Sequence, residues 1–151
     1  MKVFKTENPG SQLAHDEIED FEASIGTRLP EDYRKFLAFT NGGAPAEGQS
    51  WMKLKRGWVG SNWICIDFFY GLSRPDVRAY ELPHIWSVFK VRLPTDFLPI
   101  ATDSYGNQLL IDLRRTKKGS VYFWNHEREV APVFVSPSFS AFYAQLQLEP
   151  D

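Results

Sequence analysis

Residues 29–43, LPEDYRKFLAFTNGG, predict one helix with both of its ends fixed by local chemistry. Pro30 suits the first helical position, where the missing N–H of proline costs no hydrogen bond, and the two acidic residues after it complement the helix dipole. Asn41 and Gly42 both tolerate a positive φ, which is typical of residues that end a helix. The chain is therefore expected to leave this helix in a fixed direction.

The predicted helix carries apolar side chains at helical spacing, as a helix does when one face is buried. The residues of this stripe are Tyr33, Phe36, Leu37 and Thr40.

Another helix is predicted over residues 16–25, with acidic residues in its first turn and Gly26 as a left-handed end. A last helix is predicted after Ser136 or Ser138, either of which can cap it. Its apolar residues at helical spacing are Phe139, Phe142, Tyr143 and Leu146.

The second half of the chain has the pattern of an antiparallel sheet. Residues 97–102 and 108–113 flank the turn sequence DSYGN, and this arrangement predicts a hairpin. Residues 121–125 and 130–135 predict two more strands. Pro132 indicates that the second of these lies at an edge, because proline cannot donate to the hydrogen-bond ladder.

The middle of the chain has less regular patterns. Residues 43–63 are rich in glycine, tryptophan and cations, and they predict a long loop with a short strand near residues 51–54. Residues 63–70, WICIDFFY, predict a strand with two buried faces, and residues 76–92 predict a helical segment interrupted at Pro83. Together the elements predict an α+β fold, in which a central, mainly antiparallel sheet is packed by two N-terminal helices and a C-terminal helix.

Size and charge limit the classes of protein to which the chain can belong. Its 151 residues predict a single domain over residues 1–151, large enough to bury a core without a metal or a disulfide. The net charge of −2 gives no field toward nucleic acid or a membrane, and no run approaches the ~18 apolar residues of a membrane span. With one cysteine and no apolar leader sequence, the chain is expected to be a soluble cytoplasmic protein.

Several segments of the chain resemble the SUKH superfamily, which includes fungal cell-wall-synthesis regulators and bacterial toxin-immunity proteins. The first is IEDFEASIGTRLPEDYRKFLAFTNGG, residues 18–43, with its acidic helix, Leu-Pro and Asn-Gly-Gly. The others are FFYGL, LPIATDSYGNQLLIDL and GSVYFWNHE, which begin at Phe68, Leu98 and Gly119. The resemblance extends over residues 18–146, whereas residues 43–58 and 72–94 match it poorly.

The resemblance implies an α+β fold with a central sheet and a protein-binding function. Many bacterial members of the superfamily are immunity proteins, which bind and neutralise a toxin domain, and the fungal members act as regulatory interaction proteins. Specificity for a partner is expected in the poorly matching segments, because binding residues tend to lie on loops that a rigid scaffold positions.

The histidines of the chain do not form a pattern typical of catalysis or zinc binding. His15, His84 and His126 are scattered, and with a single cysteine they match no zinc spacing. His126 with Glu127 could carry acid–base chemistry or bind a metal, but the pair is interpreted as a polar loop after a strand. No catalytic residue is therefore expected.

Two further groups of residues also have a structural interpretation. Asp103, Asn107 and Asp112 carry oxygens of the kind that a hard cation prefers, but the DSYGN segment is interpreted as turn chemistry. Cys65 lies between two isoleucines and is interpreted as a small core residue. No metal and no cofactor are expected.

The segment WMKLKRGW, residues 51–58, is the main candidate for partner binding. Its candidate residues are Trp51, Lys53, Arg56 and Trp58, since tryptophan and arginine often anchor interfaces. Nucleic-acid contact is a less favoured alternative because the chain is net acidic, although residues 114–118 could supply a second basic segment in space. The structural alternative is an amphipathic strand, with Trp51 and Leu54 packed and the lysines in solvent.

An acidic helix face around Glu17 and Asp20 is the second candidate surface. A basic nuclease toxin would be attracted to it, although the helix dipole also explains acidic residues in a first turn. The leading hypothesis is a non-enzymatic immunity-type protein that covers the active site of a cognate toxin domain. The alternatives are a regulatory module that binds another cellular protein, and a small enzyme or nucleotide binder with converging His126, Glu127 or Asp103.

Overall fold

The computed structural model describes residues 3–58, 61–94, 96–127 and 131–151; the side chains of residues 56–58 and 61 lie outside this description. The α-helices in the described part of the chain are short. They are α1 (Glu17–Ile25), α2 (Glu31–Thr40), α3 (Leu82–Phe89) and α4 (Phe139–Ala144), and a 3₁₀ helix, Pro75–Tyr80, precedes α3. Among these described helices, none is long and apolar enough to cross a membrane.

The strands form one large sheet and one small ladder. The ladder joins β1 (Thr6–Glu7) to β2 (Ala44–Pro45). The sheet contains β3 (Trp51–Trp58), β4 (Ser61–Phe69), β5 (Phe97–Asp103), β6 (Gln108–Asp112), β7 (Val121–Trp124) and β8 (Val133–Ser136) in that spatial order. All neighbouring strands are antiparallel, and the outer strands β3 and β8 approach each other, so the sheet is almost closed into a barrel. The predicted α+β fold class is confirmed.

The apolar stripe of α2 lies at the centre of the core. Its buried residues are the predicted Tyr33, Phe36, Leu37 and Thr40. The centroid of the Phe36 ring lies 4.8 Å from that of Phe139 on α4 and 5.0 Å from that of Phe69 on β4. The second helix therefore fills the space between the C-terminal helix and the sheet.

The Asn-Gly-Gly sequence after α2 forms a packed junction. Asn41 and Gly42 adopt positive φ angles of 49° and 79°, which confirms the predicted helix end. The Asn41 side chain accepts a hydrogen bond from the backbone N–H of Leu72 at 2.6 Å and donates one to the carbonyl oxygen of Ser11 at 3.1 Å. This amide therefore joins the end of α2 to the segments before α1 and after β4.

A buried arginine completes this junction. The side chain of Arg74 is only 1% exposed, and it donates hydrogen bonds to the carbonyl oxygens of Asn41 at 3.1 Å and Asn8 at 2.9 Å. The same guanidinium forms an ion pair with Asp76 at 2.8 Å. A buried charge is tolerated when it is paired and hydrogen-bonded, so these contacts explain why Arg74 can lie inside the protein.

Replacing Arg74 by methionine, which keeps a long side chain, is expected to lower the free energy of unfolding by about 1–3 kcal/mol, because the buried Asn41 carbonyl loses its donor. Chemical denaturation followed by circular dichroism measures this change. Arg78→Met is the matched control, since Arg78 is exposed, and its effect should stay within about 0.5 kcal/mol. Equal effects of the two substitutions would contradict the role assigned to Arg74.

Two predictions for the middle of the chain are wrong. Residues 51–58 form the strand β3 over their whole length, because Met52 and Leu54 alternate with polar residues and pack into the core. The expectation that β4 is buried on both faces also fails. Only alternate residues near its centre, Ile64 and Ile66, are fully buried, so β4 keeps one face at the surface.

Two prolines lie near the starts of elements. The predicted helical segment is interrupted, but the break lies at Glu81, between the 3₁₀ helix and α3. Pro83 lies in the first turn of α3, where proline is tolerated, so it is not the site of the break. Pro132 precedes β8, which begins at Val133, so residues 131 and 132 are not part of the strand as predicted; residue 130 lies outside the described residues. The prediction of an edge strand is confirmed, because β8 ends the order of the sheet.

Candidate partner-binding surface

The outer face of β3 and β4 combines aromatic side chains with a cation. The register of the two strands pairs Lys53 with Trp63 and Trp51 with Cys65 on this face. Lys53 is exposed, and its Nζ atom lies 5.9 Å from the centre of the Trp63 ring. We call these four residues the β3–β4 surface. Its aromatic content is typical of interfaces, in which tryptophan is enriched.

The structure brings two of the four candidates from residues 51–58 to this surface. Trp51 is half-buried, and its backbone exchanges hydrogen bonds of 3.0 and 2.8 Å with Gln147. Lys53, two residues later, points to solvent. The side chains of Arg56 and Trp58 lie outside the described residues, so their candidacy stays a prediction.

The alternative interpretation of this segment as an amphipathic strand is partly confirmed. Lys53 and Lys55 are exposed, as that interpretation requires. However, Trp51 does not share the inner face with Leu54, because the residue at the matching spacing is Met52, which is 1% exposed. Trp51 therefore belongs to the outer face together with the lysines.

Trp63 is a surface residue, so the prediction that both faces of its strand are buried is wrong for this side chain. Its side chain is half-buried beside Lys53. The signal for its position is the alternation in WICID, where isoleucine occupies every second residue and Asp67 falls on the other face. A charged residue at this spacing marks that face as the outer one.

The second basic segment, residues 114–118, lies at the opposite end of the sheet from Lys53 and Trp63. At one end of β5, Phe97 pairs with Asp112, and residues 114–118 follow directly. At its other end, Asp103 pairs with Ile66, and Trp63, the partner of Lys53, lies beyond that point along β4. The two basic segments therefore do not join into one surface, and the nucleic-acid alternative loses this support.

The acidic candidates lie on α1, which is a different element from the β3–β4 surface. Glu17 accepts hydrogen bonds from the Ser73 hydroxyl at 2.6 Å and from the Ala14 backbone N–H at 2.5 Å. The Ser73 bond, with a smaller effect from Ala14, holds the pKa of Glu17 below its ordinary value. Glu17 is therefore held by internal contacts, whereas Asp20 is exposed.

The DSYGN turn has the structural chemistry that its sequence predicts. The Asp103 carboxylate accepts hydrogen bonds from the backbone N–H groups of Tyr105 and Asn107, both at 2.8 Å. Asp112, the third potential cation ligand, forms an ion pair with Arg114 at 2.7 Å. Within the described ranges, no group of three or more histidine, cysteine, aspartate or glutamate side chains could hold a metal ion.

His126 and Cys65 take part in local packing. The Nε2 atom of His126 lies 2.7 Å from the carbonyl oxygen of Tyr105, in the polar loop that follows β7. The interpretation of Cys65 as a core residue is wrong, because its side chain is half-buried on the outer face opposite Trp51. Partial burial, the largest of several influences, raises the pKa of the Cys65 thiol.

The fold is an antiparallel sheet packed by helices, with the Asn-Gly-Gly junction joining α2 to β4. The outer face of this sheet carries aromatic and cationic side chains. Residues 12–145 match the SMI1 / KNR4 family (SUKH-1), and the chain belongs to this family. One relative is the SPbeta prophage-derived uncharacterized protein YokK of Bacillus subtilis (strain 168), which is 25% identical over 156 residues. The similarity covers 90% of this chain and 76% of YokK.

Proposed function

We propose that this chain is a non-enzymatic immunity-type protein that neutralises a cognate toxin domain by covering its active site. Membership of the SMI1 / KNR4 family supports a binding function, because immunity-type proteins are common in this family. The observation that carries the proposal is the β3–β4 surface, where Trp51, Lys53 and Trp63 lie together on the outer face of the sheet.

The sheet supports this surface by holding it rigid. Met52 and Ile64, which are directly opposite each other, are buried and fix the two strands to the core. The side chains on the outer face are thereby positioned before a partner arrives, which lowers the entropy lost on binding. Half-buried tryptophans serve as anchors at the centre of such an interface, and exposed lysines form its rim.

Capture followed by an inhibition assay tests the proposed function. The tagged chain is used to isolate its partner from a lysate of the source organism, and the purified partner is assayed with and without an equimolar amount of the chain. We expect the partner to be a toxin domain that loses its activity in the complex. A captured toxin that stays fully active would contradict neutralisation. A non-toxic cellular partner would favour the regulatory alternative.

Charge reversal at Lys53 tests whether the β3–β4 surface is the interface. Lys53→Glu is expected to slow association with the captured partner several-fold, because charges at the rim of an interface steer the encounter. The effect should shrink at high salt, where exposed charges are screened. Lys117→Glu is the control, since Lys117 is also exposed and lies at the opposite end of the sheet. Equal association rates for the two variants would place the interface elsewhere.

A further inference from the structure

An apolar groove of about 450 Å³ lies between α2, α4 and the N-terminal segment. Phe4, Ala38 and Tyr143 are among the residues that line it. Two more of its lining residues, Val3 and Phe39, are 72% and 74% exposed. Contiguous apolar surface that reaches solvent in this way marks interaction sites on proteins.

The exposure of Phe39 is not explained by the packing of α2. The buried stripe of this helix consists of other residues, Phe36 and Leu37 among them, and Phe39 points away from that stripe. Placing a large aromatic side chain in water forgoes the stabilisation that its burial would bring, roughly 1.5–3 kcal/mol. Phe39 therefore contributes little to the fold and is available to a partner.

A cation lies at the edge of this groove. Lys35 lines the groove and precedes Phe39 by one helical turn, so the two side chains are on the same face of α2. The neighbouring cation, Arg34, is paired, because its Nε atom lies 3.1 Å from a carboxylate oxygen of Glu22 and its guanidinium lies 3.9 Å from Glu31. Among the described residues, Lys35 forms no ion pair.

We propose that this groove binds an amphipathic helix of a protein partner, with a large apolar side chain in the groove and a carboxylate on Lys35. A helix in an apolar groove between two helices is a recurrent mode of recognition, and complementary charge at the edge fixes its orientation. A second copy of this chain fits less well, because a twofold contact through the groove would bring another Lys35 instead of a carboxylate. The site is separate from the β3–β4 surface and does not rest on the function proposed there.

Selection from a random peptide library displayed on phage tests the groove directly. Peptides are selected on the immobilised wild-type protein after removal of those that bind the Phe39→Asp variant. Phe39 is mostly exposed, so this variant should fold normally, and its melting curve checks that. We expect the enriched peptides to carry a large apolar residue within one helical turn of an aspartate or glutamate.

A charge exchange between protein and peptide then tests the contact with Lys35. The most enriched peptide is synthesised and titrated against the wild type and against Lys35→Glu. We expect the substitution to weaken binding by about tenfold, and we expect a peptide with lysine in place of its acidic residue to bind Lys35→Glu better than the wild type. Lys90→Glu, an exposed lysine just after α3, is the control and should leave the affinity unchanged.

Three results would overturn the proposal. The first is a selection that enriches no common sequence, and the second is an enriched peptide that binds Lys35→Glu as tightly as the wild type. The third is self-association of the wild type in analytical ultracentrifugation that Phe39→Asp abolishes, since the groove would then be occupied by a second copy of the chain.

Discussion

Replacing Phe36 by alanine is expected to lower the free energy of unfolding by about 3–5 kcal/mol, which is the range for truncating a fully buried phenylalanine. The Phe36 side chain is 0% exposed. Its ring contacts the rings of Phe139 and Phe69, and it also lies 5.5 Å from that of Phe4 in an edge-on arrangement. Three separate segments of the chain would therefore face the cavity, and none of them can fill it without losing its other contacts.

Denaturant titration measures this loss, and the same helix provides its control. Phe39→Ala removes the same atoms from a side chain that is 74% exposed, so its effect should stay near the 0.5 kcal/mol typical of surface sites. A loss below about 1 kcal/mol for Phe36→Ala would show that the surrounding rings collapse into the cavity, contrary to the close packing described for the core.

Features set by neighbours in the sequence were predicted accurately. The end of α2 depends on whether Asn41 and Gly42 can adopt a positive φ, and this property belongs to the residues themselves. The buried stripe around Phe36 follows from helical spacing alone, as does the burial of Phe142 on α4. The cap of α4 is also local, because the Ser138 hydroxyl accepts a hydrogen bond from the backbone N–H of Ala141.

Features of the two strands that carry the candidate site were predicted less well. The glycine and tryptophan content around residues 51–58 suggests a loop and obscures the alternation of Met52 and Leu54 with lysines. In β4, Trp63 and Cys65 are apolar enough to suggest a second buried face. Hydrophobicity alone cannot identify the face that lies at the surface, because a strand covered on both faces would carry equally apolar residues at these two positions.

The groove beside Phe39 could not be predicted from any local pattern. Its lining comes from residues 3–4, 35–39 and 140–144, which only the fold brings together. The sequence does contain one hint, since Phe39 falls outside the helical stripe of α2 and therefore has no predicted place in the core. An apolar side chain left over after the core is assigned is a useful indication of an interaction site.

Substituting alanine for Gly42 is expected to lower the free energy of unfolding by roughly 2–5 kcal/mol, about as much as truncating Phe36. A left-handed conformation costs a residue with a side chain about 1–2 kcal/mol, and overpacking adds about 1–3 kcal/mol. The added Cβ atom would lie 2.5 Å from the carbonyl oxygen of Phe69 and 2.8 Å from that of Tyr70. Both are backbone atoms at the end of β4, so they cannot move aside as a flexible side chain would.

Gly26→Ala separates the two contributions to this cost. Gly26 has nearly the same conformation, with φ of 81° against 79° for Gly42, but no described atom lies within 4 Å of its added Cβ. Gly26→Ala should therefore show the conformational cost alone, about 1–2 kcal/mol. The difference between the two variants in denaturant titration measures how tightly the Asn-Gly-Gly junction packs on β4. Equal decreases in the free energy of unfolding would show that the backbone of β4 moves to accommodate the added carbon. The requirement for glycine at position 42 would then come from its positive φ alone.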